Sequence, residues 1–227
     1  MLLKKLIKHM NESGFLITFA MLVDRIIRSL IKDGGLYFYH FYNQPLLSNS
    51  TSAKKKNSAF EFKTFDDYSE ILAQLPRPLE NIKSRFQQDV KCLVGIKDEK
   101  LVSCVWFAKS SFIEDEVRCT YLLPDNAVWD FDVYVIPEYR VGRLFMRTWQ
   151  KAEQELNALE YYNSFSRISA FNKNSVISHE KLGAKRHSSA IFIVIGKFQL
   201  MVSSSSPFIN FSFSSQDYPK INFRKCR

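Results

Sequence analysis

The chain has 227 residues, 46% hydrophobic and 24% charged, enough apolar material for one medium-sized globular domain with appendages. Seven Gly and seven Pro exclude a collagen-like or low-complexity chain. The net charge of +9 sits at the two ends, because residues 58–196 hold 18 basic and 19 acidic side chains, which argues against nucleic-acid binding by the middle of the chain.

Residues 1–47 read as an amphipathic, basic and aromatic N-terminal extension. Leu2, Leu3, Leu6, Ile7 and Met10 form one stripe beside Lys4, Lys5 and Lys8. After Gly14 a second stripe (Leu16, Phe19, Ala20, Val23, Ile26, Ile27, Leu30, Ile31) recurs at helical spacing opposite Asp24, Arg25, Arg28 and Lys32. The uncharged run 15–23 is far short of the ~20 residues that span a bilayer. Asp24-Arg25 stands where the small residues of a secretory cleavage site belong. Such a helix either packs on protein, including a second copy of the chain, or lies in the plane of an anionic membrane. The stretch 36–42 holds five aromatics in seven positions and reads as a strand or an interfacial patch. Residues 48–58, SNSTSAKKKNS, read as a linker and set the main domain boundary.

From residue 59 the periodicity predicts a layered domain ending near 202. A short strand at 60–65 precedes two short helices, which Pro76 and Pro78 separate. Strands at 90–96 and 101–108 flank Lys97-Asp98-Glu99-Lys100, a hairpin turn. A further strand at 117–123 leads to 128–135, where Trp129, Phe131, Val133 and Val135 alternate with Asp130, Asp132 and Tyr134. Pro137 stops that strand, and Leu144, Phe145, Thr148, Trp149, Ala152 and Leu156 recur at helical spacing. Between them lies Glu138-Tyr139-Arg140-Val141-Gly142-Arg143, a turn whose free N–H groups and helix dipole attract phosphate. Beyond it come a strand at 165–171, a helix capped by Asn172 and ended by Gly183, and apolar strands at 190–195 and 198–202. Residues 203–227 form a Ser-rich basic tail. The four cysteines lack metal-ligand spacing; Cys92, Cys104 and Cys119 fall in predicted strands and read as buried free thiols.

At the strand, the Pro-Glu-Tyr-Arg run, the Gly/Arg turn and the following helix, the chain resembles the GCN5-related N-acetyltransferase (GNAT) family. The order of elements over 59–202 resembles it too. The resemblance implies an α+β fold with a central, mostly antiparallel sheet flanked by helices, here with an N-terminal amphipathic helical extension. It implies acetyl-CoA as acyl donor and an amine as acceptor; the spacing of the Cys and His residues, for its part, predicts no metal. Backbone groups at Val133 and Val135 would hold the pantetheine arm, and Arg140, Val141, Gly142, Arg143 and Leu144 the diphosphate. The family's Asn-x-x-Ala-x-x-x-Tyr-x-x-x-Gly motif reads here Asn172-x-x-Ser175-x-x-x-His179-x-x-x-Gly183, so His179 stands where the acid Tyr usually sits and Asn172 joins the donor site. Asp130 and Asp132, two apart and expected on one face of the sheet, are the candidate bases.

The resulting expectation is a cytoplasmic N-acetyltransferase, held peripherally at the inner membrane face by residues 1–47, acting on an amine such as an amino sugar of an envelope precursor. Two alternatives stand beside it: a non-catalytic acyl-CoA-binding or interaction module on the same fold, and an acyltransferase fed by an acidic carrier protein.

Overall fold

The computed structural model describes residue 10 and residues 14–46, 59–140 and 143–225. Most of the first amphipathic stripe, the expected linker at 48–58, Val141, Gly142 and Cys226 lie outside them. In chain order the elements are α1 (Phe15–Leu30), β1 (Gly35–Pro45), β2 (Glu61–Phe65), α2 (Leu79–Arg85), β3 (Val90–Lys97), β4 (Lys100–Lys109) and β5 (Ser111–Ile113). They continue with β6 (Thr120–Leu122), β7 (Ala127–Val135), α3 (Leu144–Ala158), β8 (Asn163–Ser169), α4 (Lys173–Lys181), β9 (Lys185–Ile195), β10 (Phe198–Ser203), β11 (Ile209–Ser212) and β12 (Lys220–Asn222). The fold is mixed α/β with mostly antiparallel sheet. Its described residues fall into two compact units, one drawn from 1–44, 113–122 and 166–227, the other from 45–112 and 123–165.

In the second unit β2, β3, β4 and β7 pair antiparallel, and Asn163–Phe165 of β8 add a parallel edge to β7. The β3–β4 hairpin closes on Lys97↔Lys100, with Asp98 and Glu99 at φ 51° and 61°. Positive φ at both central residues matches the twist of the flanking strands. Alternation sorts the side chains onto two faces. Phe107 meets Trp149 of α3, while Trp106 meets Phe86 just beyond α2. The three tryptophans of this unit are at most 2% exposed, so its core lies on both sides of the sheet.

In the first unit the strand order is β11-β10-β9-β1-β8. The aromatic stretch, expected within an N-terminal extension, is a central strand: β1 pairs with β9 from Gly35↔Val194 to Asn43↔Lys185. Tyr39, Phe41 and Tyr42 are at most 2% exposed. Aromatics with strong β preference gain most where neighbours cover them on both edges, which an arm outside the domain cannot offer. The Ser-rich tail is also built in, since β11 forms an edge strand, β12 lies parallel to β6, and Phe223 packs against Phe41 and Tyr121. One face of this sheet carries the core, with Phe192 and Met201 at 0% exposure. The other carries aligned apolar rows, Phe211–Leu200–Ile193–Leu36 and Ile209–Val202–Ile191–Phe38, whose outer members are solvent-exposed.

α1 is amphipathic as expected, but its stripe is not wholly buried. Ala20 packs inward, whereas Leu16, Phe19, Ile26 and Leu30 are more than half exposed. The helix is anchored by Asp24, which accepts from the Leu36 backbone N–H at 2.9 Å and from Arg28 at 2.8 Å. Among the described residues no helix is long and apolar enough to cross a membrane.

Candidate functional site

The second unit brings together the strand, turn and helix singled out in the sequence. β7 is the strand on which the site is built. Its parallel ladder with β8 is three pairs long, Ala127↔Asn163 to Trp129↔Phe165, and β7 then runs on to Val135. On its other edge the register with β4 slips between Trp106↔Phe131 and Cys104↔Tyr134. Two residues of β7, Asp132 and Val133, there oppose the single residue Val105, which makes a β-bulge. Asp132 takes φ 47°, a left-handed conformation that Asp tolerates better than most residues.

The bulge overturns the expectation that Asp130 and Asp132 share a face. Asp130 lies opposite Phe107, on the α3 face, is 2% exposed, and accepts from the Ser164 hydroxyl at 2.6 Å. Asp132 lies on the other face, where the extra residue turns its side chain. It accepts from Arg77 Nη2 at 2.6 Å and Nε at 3.1 Å, and from Arg85 Nη1 at 2.6 Å. The Arg85 guanidinium stands over the Trp106 and Phe131 rings, each 5.2 Å away. Burial pushes the Asp132 carboxyl up, but the hydrogen bonds and charges of Arg77 and Arg85 outweigh it and hold the group below the usual carboxylate range. A carboxylate in this setting is a weak base.

Sequence reasoning missed Arg77 and Arg85. A signal existed for the second: Arg85 falls three residues after the buried Ile82, on the apolar face of a short helix, where an arginine needs a buried partner. Nothing in the spacing marked Arg77.

Past the strand, Pro137–Tyr139 form one 3₁₀ turn. Arg140 folds back and donates from Nε to the Val135 carbonyl at 2.9 Å. One backbone group of the strand expected to hold a pantetheine arm is therefore occupied. Val133 is half-buried on β7, and Val141 and Gly142 lie outside the described residues. Arg143 is the exposed N-cap residue of α3, and Leu144, 3% exposed, starts the helix from inside the core. α3 is fixed by Thr148, whose hydroxyl donates to the Leu144 carbonyl at 2.9 Å and lies 2.7 Å from Ser103 Oγ. The first turn of α3 carries no acid and holds Arg147, whose guanidinium lies 5.7 Å from the Phe60 ring centre. Arg140, Arg143 and Arg147 add their charges to the positive end of a helix dipole.

The second motif belongs to the first unit. Asn172 is the N-cap of α4 and accepts from the Ser175 N–H at 3.1 Å, and Gly183 takes φ 87° just past the helix end. Both therefore have local structural work. His179 is 7% exposed, and its Nδ1 lies 2.8 Å from the Ser175 carbonyl. A carbonyl only accepts, so Nδ1 carries the proton and Nε2 is the acceptor position of the neutral ring. His179 can deliver a proton from Nε2 only as the imidazolium.

Cys92, Cys104 and Cys119 are buried free thiols, and burial raises Cys92 and Cys119 above the usual thiol range. Among the described residues there is no group of three His, Cys, Asp or Glu able to hold a metal ion.

No protein-family model and no curated protein matches the chain. Among solved structures it is similar to a functionally unknown conserved protein from Staphylococcus epidermidis, at 12% identity over 76% of this chain and 66% of that one, with a TM-score of 0.49. It is similar to a putative acetyltransferase of the GNAT family from Novosphingobium aromaticivorans, at 15% identity over 69% and 62%, with a TM-score of 0.47. A tandem GNAT protein of the clavulanic acid biosynthesis pathway aligns at 12% identity over 68% and 51%, with a TM-score of 0.47. The chain thus spans 51–66% of the length of these three structures.

Proposed function

We propose that the protein is an acyltransferase that takes an acetyl group from acetyl-CoA and passes it to an amine. One observation carries this reading. A strand freed from its parallel neighbour after Trp129 leads through one turn into a helix whose N-terminus is flanked by Arg140, Arg143 and Arg147. The strand offers backbone to an extended pantetheine arm, and the helix end with its arginines offers charge and N–H groups to a diphosphate. In the reaction the amine nitrogen attacks the thioester carbonyl, the carbon–sulfur bond breaks, and the departing thiolate takes up a proton. Asp132 does not serve as base on this reading. It holds Arg77 and Arg85 in place, and the amine arrives neutral or loses its proton to water. The acid that the family motif suggests is His179 in its imidazolium form, on the helix that Asn172 caps. An amino sugar of an envelope precursor as acceptor, and a peripheral place at the cytoplasmic membrane face through α1, belong to the same proposal. Support for the latter comes from the exposed Phe19, Ile26 and Leu30 beside Arg25 and Lys32.

A second reading is a non-catalytic acyl-CoA-binding or interaction module. It is favoured by the engagement of Asp130, Asp132 and the Val135 carbonyl by the protein's own side chains. Calorimetric titration of acetyl-CoA tests the donor site, and it needs the full chain, because β1 belongs to the sheet and a fragment starting at residue 59 lacks it. Micromolar binding that disappears in Arg140→Glu/Arg143→Glu supports the donor site, and release of free thiol on adding amines then separates enzyme from module. A folded protein that does not bind acetyl-CoA refutes the enzyme fed by free acetyl-CoA and the acyl-CoA-binding module, and leaves the interaction module.

A further inference from the structure

The second unit holds a cavity of about 340 Å³ on the α3 face of its sheet, away from the start of α3. Its floor is Leu93, Phe107 and Val128, from three adjacent strands, and its wall is Ala152 and Leu156 of α3 with Leu159 just past the helix end. The distance from Leu144 to Leu156 along the helix axis is about 18 Å at 1.5 Å per residue, so this cavity is not the proposed diphosphate end. Its size lies within the range of small-molecule sites, and its body is apolar with few polar groups at the mouth.

Two of those polar groups are lysines. Lys91 lies opposite Phe107 in the β3–β4 ladder, and Lys109 follows two residues after Phe107 on β4 and lies opposite Val128. Period-two alternation puts both ammonium stems on the cavity face as diagonal neighbours. Among the described residues neither lysine has a salt-bridge partner, although their stems are half-buried. Tyr161 joins them; burial first, and then the charge of Asp89, raise its pKa against the opposing charge of Lys91. Two acids also line the site. The Glu155 carboxylate is already taken by Lys151 at 3.2 Å and by the Thr64 hydroxyl, and Asp66 stands exposed to solvent, where its charge is screened.

We propose that this cavity binds a small organic carboxylate with an apolar body, its chain against Leu93, Phe107, Val128 and Leu156 and its carboxylate between Lys91 and Lys109. The inference is independent of the acyl donor reading. It is tested on the full chain by calorimetric titration with decanoate, with decanol as the neutral control, on wild type, Lys91→Glu/Lys109→Glu and the milder Lys91→Ser/Lys109→Ser. Saturable one-to-one binding of decanoate is expected, with decanol weaker by roughly tenfold or more, as fits the loss of a charge-assisted hydrogen bond. Both double variants lose a similar factor while melting at the wild-type temperature. Absence of saturable decanoate binding overturns the proposal. Equal binding of decanol, or binding undiminished in the two double variants, overturns it as well, since the ligand then sits on apolar surface elsewhere, such as the exposed rows of β10 and β11.

Discussion

Replacing Asp132 with Asn removes one charge from the β7 bulge and changes little else, because Asn also tolerates the left-handed backbone that φ 47° demands. The Arg77 side chain is 48% exposed, so its half of the bridge contributes about 0–1 kcal/mol. The Arg85 side chain is 7% exposed and depends on Asp132 for charge balance. Removing one partner of such a buried pair costs about 3–5 kcal/mol, because the other charge stays buried. Here the Asn carboxamide keeps an acceptor oxygen toward Arg85, which retains part of that, roughly 1 kcal/mol. Asp132→Asn is therefore expected to lose about 2–4 kcal/mol at pH 7, and Arg77→Ala no more than about 1 kcal/mol. The pH dependence has a fixed sign. The folded carboxyl titrates below its unfolded value, so its contribution is complete above about pH 4 and is lost as pH falls through the lower folded value. Urea unfolding followed by tryptophan fluorescence, at pH 7 and at steps below pH 4, measures both effects. An Asp132→Asn stability within about 0.5 kcal/mol of wild type, with the acid slope intact, would refute the buried-pair argument.

Arg167 is held in the first unit by Glu114 at 2.8 Å and Glu116 at 2.8 Å, with its guanidinium 4.3 Å from the Tyr39 ring centre. Arg167→Ala leaves the 3%-exposed Glu114 side chain without its cation and should cost about 3–5 kcal/mol in chemical denaturation; a loss below about 1 kcal/mol contradicts that burial. His40 is held neutral, chiefly by burial and then by the charge of Arg186, with its pKa lowered to about 4. The unfolded chain therefore binds this proton first, stability falls as pH drops from about 6.5 to 4, and His40→Phe should flatten that limb, while His187, also lowered by burial, retains a smaller slope. Phe192→Ala should cost about 3–5 kcal/mol, whereas Phe211→Ala on the opposite face of the same sheet should stay within about 1 kcal/mol; equal losses in thermal melts would mean that the two faces are misassigned.

Several elements were legible because neighbouring residues carry their rules. The β3–β4 hairpin follows from two apolar runs separated by residues able to take positive φ. α4 follows from Asn172 as acceptor for the Ser175 N–H and from Gly183 just past its end. The change of period between Val135 and Leu144 located the strand, turn and helix of the candidate site. Composition alone also limited the chain to a folded, aromatic-rich protein with neutral middle and basic ends.

What the sequence by itself determined is thus local: which stretches are strands or helices, where they start and stop, and which side chains alternate. Tertiary structure alone decided that β1 lies beside β9, about 150 residues downstream, because antiparallel pairing leaves no mark in either strand's own periodicity. It also decided the fate of Asp132. One extra residue between two ladder positions turned a side chain to the opposite face, where Arg77 and Arg85 from distant segments fixed its charge. Periodicity assumes a regular pleat, and a bulge is a local exception that only the partner strand makes necessary.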